Sequence, residues 1–321
     1  MNQPHNFGGT WTQQKLDCLA GYLPAYMTIL RGNPTARQYL RTIYVDAFAG
    51  TGYITPKEKK NLAPDKWNLF ETIDDADPEE GEPLVAEPLT SPETRAYLDG
   101  SARIALGIPQ PFDRYIFVDK KPQHVQQLHA LRDDFPHLAP HIDIRQSDAN
   151  RALREIVDST YWREWRAVMF LDPYGMQVDW ATIEHIGRRA KVDLWLLFPI
   201  GLAVNRLLTR NGPPPPHWAK GLTRTLGTEE WLDRFYSPKA EELSVQMKMF
   251  GDAEESEEKI IKTANFGAIG DFFVERLKTV FEHVPTPMTL SNSQGPIYLF
   301  CFASQNAAAG RIARYLLKPK Q

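Results

Sequence analysis

The stretch TIYVDAFAGTGYITP, residues 42–56, begins as a β-branched and aromatic run, ends that run on an acid, Asp46, and continues into two glycines one residue apart, Gly50 and Gly52. Such a run predicts a short strand. Glycines placed directly after a strand let the backbone come close to a ligand, because no Cβ stands in the way.

The same grammar repeats downstream. RYIFVDK, 114–120, predicts a second strand ending on Asp119, and PQHVQQLHALRDDF a helix after it. HIDIRQSDAN, 141–150, alternates and turns at Asp148, and RALREIVDST follows as a helix. AVMFLDPYG, 167–175, predicts a fourth strand, WATIEHIGRRA a helix capped by Asp179, and VDLWLLFPIG a nearly continuous apolar strand of the kind buried on both faces. The tail adds a helix (FGAIGDFFVERLKTVFEHV), two strands (TPMTL, GPIYLFCFASQ) and a last helix (AAAGRIARYLL). Ahead of the first strand, Leu16, Leu19, Leu23, Tyr26, Met27 and Leu30 recur at helical spacing, with Thr12 as cap. This alternation predicts an α/β, Rossmann-like fold with a mostly parallel, seven-stranded sheet and helices on both faces. The 321 residues read as one domain, 1–321, with insertions at about 53–99 and 211–260, both rich in Pro and acidic residues. Four prolines at 213–216 read as a stiff polyproline spacer.

The turn after the first strand discriminates between cofactors. A dinucleotide site wants G-x-G-x-x-G and a helix N-terminus facing a pyrophosphate. Here Thr55 stands at the third glycine position, with Pro56 after it. An acid at the strand end suits S-adenosylmethionine, which carries a sulfonium, an amino group and a carboxylate but no phosphate. In this reading Asp46, Phe48, Gly50 and Gly52 hold the methionine and ribose end. Asp119 and Lys120 stand where a ribose diol is bound, and Asp148 and Ala149 where the adenine amino group is read. The fourth strand end, Asp172-Pro173-Tyr174, falls where an acceptor must meet the methyl group. Any one of these acids is also an ordinary turn residue. Their order at successive strand ends is what favours a class I methyltransferase fold.

WTQQKLDCLAGYLPAY, YVDAFAGTG, FLDPYGMQVDWATIEHI and VDLWLLFP resemble the three-Cys-motif partner (TcmP) family, over roughly residues 7–210. That resemblance implies a class I methyltransferase-like protein and a partner of the radical type carrying three cysteines. It leaves open a catalyst acting on a nitrogen or oxygen acceptor, a nucleic-acid base or a small molecule, a non-catalytic partner protein, and a nucleic-acid-binding module of a modification or defence system. A second resemblance, to Dam-like adenine-N6 methyltransferases, implies that Lys15 or Trp11 in FGGTWTQQK lies at the methionine end of the cofactor. Those enzymes carry D-P-P-Y; this chain has D-P-Y-G, so the aromatic stands one place early.

Other chemistries find little support. Cys18 and Cys301 follow Asp17 and Phe300, not the proline of a cytosine-C5 nucleophile, and two cysteines suit a cytoplasmic chain. His124, His129, His137 and His141 lack the partners of a metal set, so no metal is expected. A net charge of −3 does not favour coating nucleic acid through bulk charge. YWREWRAV, 161–168, reads as a helix end entering a buried strand, with base stacking by Trp and Arg as the competing reading. Arg206 and Arg210, just past the fifth strand, are candidates for a substrate-side basic patch. No apolar run approaches the ~20 residues of a membrane span, and MNQPHNFGGTWTQ lacks the form of a signal peptide.

Overall fold

A computed structural model of the protein describes residues 10–51, 53–54, 98–238 and 259–318. The apolar run at 42–46 lies in β1 (Arg41–Asp46), buried at every position after Arg41. On one side β1 pairs in parallel with β2 (Arg114–Asp119), and β2 with β3 (Ile142–Gln146). On the other it pairs in parallel with β4 (Trp165–Leu171), and β4 with β5 (Val192–Phe198). The tail contributes β6 (Met288–Asn292) and β7 (Gly295–Ser304), which form a hairpin. β7 inserts antiparallel beside β5 and leaves β6 at the edge. The order β3-β2-β1-β4-β5-β7-β6, with β7 alone reversed, is the methyltransferase-type α/β sheet expected from the sequence.

Alternation along each strand feeds two cores. In β1, Ile43 and Val45 face one and Tyr44 the other. One face is covered by α1 (Thr10–Gly32), α2 (Ser101–Leu106), α3 (Pro122–Leu128) and α8 (Ala307–Leu316). The other is covered by α4 (Ala149–Ser159), α5 (Trp180–Arg189), α6 (Pro216–Leu226) and α7 (Phe266–Lys278). β5 is buried at all seven positions, as its apolar run predicts. Gly201, just beyond it, lies so close to the chain at Pro296 that a Cβ would stand 1.9 Å from that carbonyl oxygen, so β7 starts hard against the end of β5.

Several local expectations are tested by the structure. α1 begins at Thr10, so Thr12 lies within its first turn and not at its cap. Asp179 is the N-cap residue of α5, as expected, its carbonyl accepting from Thr182 N and Ile183 N, while its carboxylate pairs with Arg224 at 3.2 Å. Pro216 is the first residue of α6, where a missing N–H costs nothing, so the proline run leads into a packed helix whose Leu222 and Leu226 are fully buried. In YWREWRAV the strand starts at Trp165, and a turn in which Tyr161 O accepts from Glu164 N precedes it. Arg41 stacks on Trp165 and Trp162 Nε1 donates to Val157 O, so both indoles serve the fold. Tyr53–Ile54 pairs with Leu98–Asp99, while 55–97 and 239–258, within the two expected insertions, lie outside the described residues. Among the described residues no helix is long and apolar enough to cross a membrane.

One charge sits inside the sheet. Asp193, on β5, accepts from Tyr22 Oη on α1 at 2.6 Å and from Ser304 Oγ on β7 at 2.5 Å. Burial raises its carboxyl to about 6, against the pull of those two donors. A carboxyl raised on folding makes the folded chain hold its proton more tightly than the unfolded one. Its contribution to stability is therefore full below pH 4 and is lost as pH rises to about 6. In Asp193→Asn, the part of the pH dependence lying between those limits should vanish, an amplitude on the order of 2–3 kcal/mol. Urea unfolding across that range checks this; an unchanged slope would refute it.

Candidate functional site

The strand ends meet at the carboxyl edge of the sheet. The loop after β1 is hooked to both neighbours: Ala47 N donates to Phe170 O on β4, and Ala49 N to Val118 O on β2. Asp46 is fully buried. One of its oxygens accepts from Phe48 N at 3.1 Å and the other from Ser101 Oγ at 2.5 Å. Burial lifts its carboxyl to about 7. Asp46 therefore shapes the loop from beneath. Gly50 takes a left-handed φ of +58°, and among the described residues nothing lies within 4 Å of where a Cβ would stand. Gly52 lies outside the described residues.

Gly50 N donates to Asp119 Oδ2 at 3.1 Å, tying the glycine turn to the end of β2. Asp119 Oδ1 accepts from Lys121 N at 2.8 Å, and His124 Nδ1 lies 3.1 Å from Oδ2. The Asp119 side chain keeps 13% exposure. Lys120 beside it is exposed. Asp148 caps α4, accepting from Arg151 N at 3.0 Å, and is exposed, with Ala149 buried behind it. No hydrogen bond joins Asp148 to the other strand-end acids among the described residues.

Asp172 follows β4, and its Oδ2 receives the ammonium of Lys15 from α1. The Lys15 side chain is 8% exposed and its ammonium lies 5.1 Å above the Trp11 ring. Trp11 packs on Tyr298, whose hydroxyl reaches Tyr174 O at 3.4 Å. The Dam-like resemblance implies Lys15 or Trp11 at the methionine end of a cofactor; the Lys15 ammonium sits on the acid of the fourth strand end. Pro173 is buried, and the Tyr174 side chain stands 77% exposed. Partial burial, then the charges of Asp172 and Asp119, raise the Tyr174 phenol. Asp172 also acts on Asp46 and Tyr44. The four residues Asp46, Asp119, Asp172 and Tyr174 thus share one electrostatic neighbourhood.

Ser101, Tyr298 and Asn150 escape a motif reading. Asn150 Nδ2 donates to Gln177 O at 2.8 Å and its Oδ1 accepts from Asp179 N at 2.9 Å. Gln177 Oε1 in turn accepts from Tyr174 N at 3.0 Å, so Asn150 fixes the D-P-Y-G loop from α4. The only sequence signal is its place two residues after Asp148. Chemically, the edge offers a diol acceptor in Asp119, an open glycine turn, and a carboxylate, a carbonyl and an aromatic ring at the β4 end.

No protein family and no curated protein matches the chain. Among solved structures it is similar to a Legionella pneumophila protein of the family DUF519, at 14% identity and TM-score 0.40, covering 73% of this chain and 78% of that one. It is similar to magnesium protoporphyrin IX methyltransferase of Synechocystis, solved with bound SAH, at 11% identity and TM-score 0.37, covering 95% and 90%. A conserved hypothetical protein of Streptococcus pyogenes aligns at 12% identity and TM-score 0.29, covering 55% and 78%. At these values the fold reading rests on strand order.

The Lys15–Asp172 pair is open to a double-mutant cycle. Lys15→Met strands a half-buried carboxylate and should destabilise more than Lys15→Met combined with Asp172→Asn. The coupling should be about 1–3 kcal/mol by chemical denaturation. Additivity of the two changes would show that the pair contributes nothing.

Proposed function

We propose that the protein is an S-adenosylmethionine-dependent methyltransferase acting on a nitrogen or oxygen acceptor. The observation that carries this reading is the hydrogen bond from the Gly50 N–H to Asp119, which sets an open, side-chain-free turn beside a carboxylate able to accept from a ribose diol. The residues present suit the group. Among the described residues none crowds the Gly50 turn, Asp119 keeps an exposed edge, and the exposed Asp148 stands at the next strand end. S-adenosylmethionine, when bound, supplies an electrophilic methyl group on a sulfonium.

The chain's own part is alignment. Asp46 holds the loop conformation, Gly50 leaves room, and Asp119, backed by His124, takes the ribose. Asp172 and the carbonyl of Pro173 accept hydrogen bonds from the acceptor and turn its lone pair toward the methyl group, and Asp172 takes up the proton released. Tyr174 offers a face for a planar acceptor such as a base. In-line transfer depends on this placement more than on acid or base strength. The acceptor must displace the Lys15 ammonium from Asp172 or bind beside it.

That same ion pair supports a second reading. A fold whose acceptor acid is already neutralised by Lys15, and whose loop lacks the second proline, suits a non-catalytic partner of a radical-type protein, in line with the resemblance to three-Cys-motif partner proteins.

Calorimetric titration with S-adenosylmethionine and S-adenosylhomocysteine separates the two. The methyltransferase reading expects binding at about micromolar Kd, weakened at least about tenfold in Asp119→Ala. Folded protein that binds neither compound would overturn it and leave the partner reading.

A further inference from the structure

The chain beyond β5 gathers cations that the methyl-transfer reading does not use. After a π-helical turn, Ile200–Val204, comes a short helix, Asn205–Leu207, and then a tightly held loop. Thr209 Oγ1 donates to Gly212 O at 2.5 Å, and Tyr236 Oη donates to Thr209 O at 3.1 Å. Lys262 is fastened to this loop twice. Its N–H donates to Arg210 O at 3.0 Å, and its ammonium donates to Asn205 Oδ1 at 2.5 Å. An isolated bridge between Asn211 and Ile261 locks the two segments in register.

The result is a pair of like charges held together by the backbone. Lys262 is partly buried while Arg206 and Arg210 are exposed. Burial, and then the Arg210 charge, hold the Lys262 ammonium below its ordinary value. Among the described residues, no carboxylate lies within ion-pairing distance of Arg206, Arg210 or Lys262. Some other surface arginines, Arg114, Arg151, Arg188 and Arg234 among them, do have one. Two adjacent cations with no counter-ion among the described residues are a cost that a bound anion removes. A guanidinium and an ammonium carried on adjoining backbone segments can together donate to several oxygens of a tetrahedral oxyanion.

We propose that Arg210 and Lys262, with Arg206 at the rim, form an anion-binding site for a phosphate group. The site follows the carboxyl end of β5, next in the sheet to the strand that carries Asp172, so the phosphate would belong to the methyl acceptor. That last assignment rests on the methyltransferase reading; the anion site does not. The phosphate comes from a polynucleotide backbone or from a phosphorylated small molecule.

The test uses the full-length chain without cofactor. Binding of a short fluorescein-labelled single strand is followed by anisotropy over a range of salt concentrations. Tripolyphosphate binding is followed through the NMR titration of Lys262 labelled at Cε. Arg210→Glu and Lys262→Gln are compared with Arg188→Glu, a charge reversal on α5 away from the site; thermal unfolding confirms that the exposed Arg210 change leaves the fold intact. If a polynucleotide is the source, both site variants weaken the strand about tenfold. The slope of log affinity against log salt falls by about 0.7 per cation removed, and Arg188→Glu does not match this. If the source is a small molecule, strand binding is the same in all variants. Tripolyphosphate then raises the Lys262 titration saturably in the parent chain and not in Arg210→Glu. Neither effect appearing in folded protein overturns the site. Neither readout involves S-adenosylmethionine, so this proposal and the methyltransferase reading fail separately.

Discussion

The bond from Tyr22 to Asp193 sets where the amino-terminal helix lies, and the site depends on that. Asp193 is a carboxyl inside the sheet, and leaving it without donors would cost far more than an ordinary surface acid. Tyr22 and Ser304 satisfy it from either side, so α1, β5 and β7 are held at one point. Leu19, Leu23 and Met27 add apolar burial but little direction, since apolar contact tolerates rotation; the hydrogen bond fixes the helix about its own axis. Lys15 stands seven residues before Tyr22, two helical turns away and on the same face. Its ammonium reaches Asp172 because Tyr22 is anchored.

The carboxyl edge is then a set of carboxylates with different duties. Asp46 is spent on structure, its oxygens taken by Phe48 and Ser101 and its burial complete. Asp119 joins structure to surface, holding Gly50 and Lys121 while keeping an exposed edge. Asp172 is balanced by a cation, and Asp148 faces solvent as a helix cap. Four acids that look alike along the chain are separated by burial and by the donor each has found.

This separation marks how far a sequence reading reaches. The strands were legible because β-branched and aromatic runs at the right spacing admit few other structures, and the acids at their ends stood out for the same reason. The supports were not legible. Ser101 meets Asp46 across 55 residues and Lys15 meets Asp172 across 157, and no local pattern encodes a contact at that distance. The misplaced cap has a simpler cause. Thr12 is a good capping residue by type, but α1 already runs from Thr10, whereas Asp179 does stand at the N-cap of its helix. The proline run misled because Pro suits the first position of a helix as well as it suits an extended spacer.

The long reach of the Asp193 network bears on how the chain is made. On a ribosome, α1 emerges before the sheet, with Leu16, Leu19, Leu23 and Met27 along one stripe. The strand carrying Asp193 follows 171 residues after Tyr22, and Ser304 a further 111 after that. Through most of synthesis the helix has neither its hydrogen-bond partner nor the sheet that will cover it. β5 in turn waits for β7 to close its free side. Folding here is dominated by late, distant contacts, which slows it and prolongs the exposure of apolar surface. The apolar stripe of α1 stays uncovered until the β6–β7 hairpin has docked.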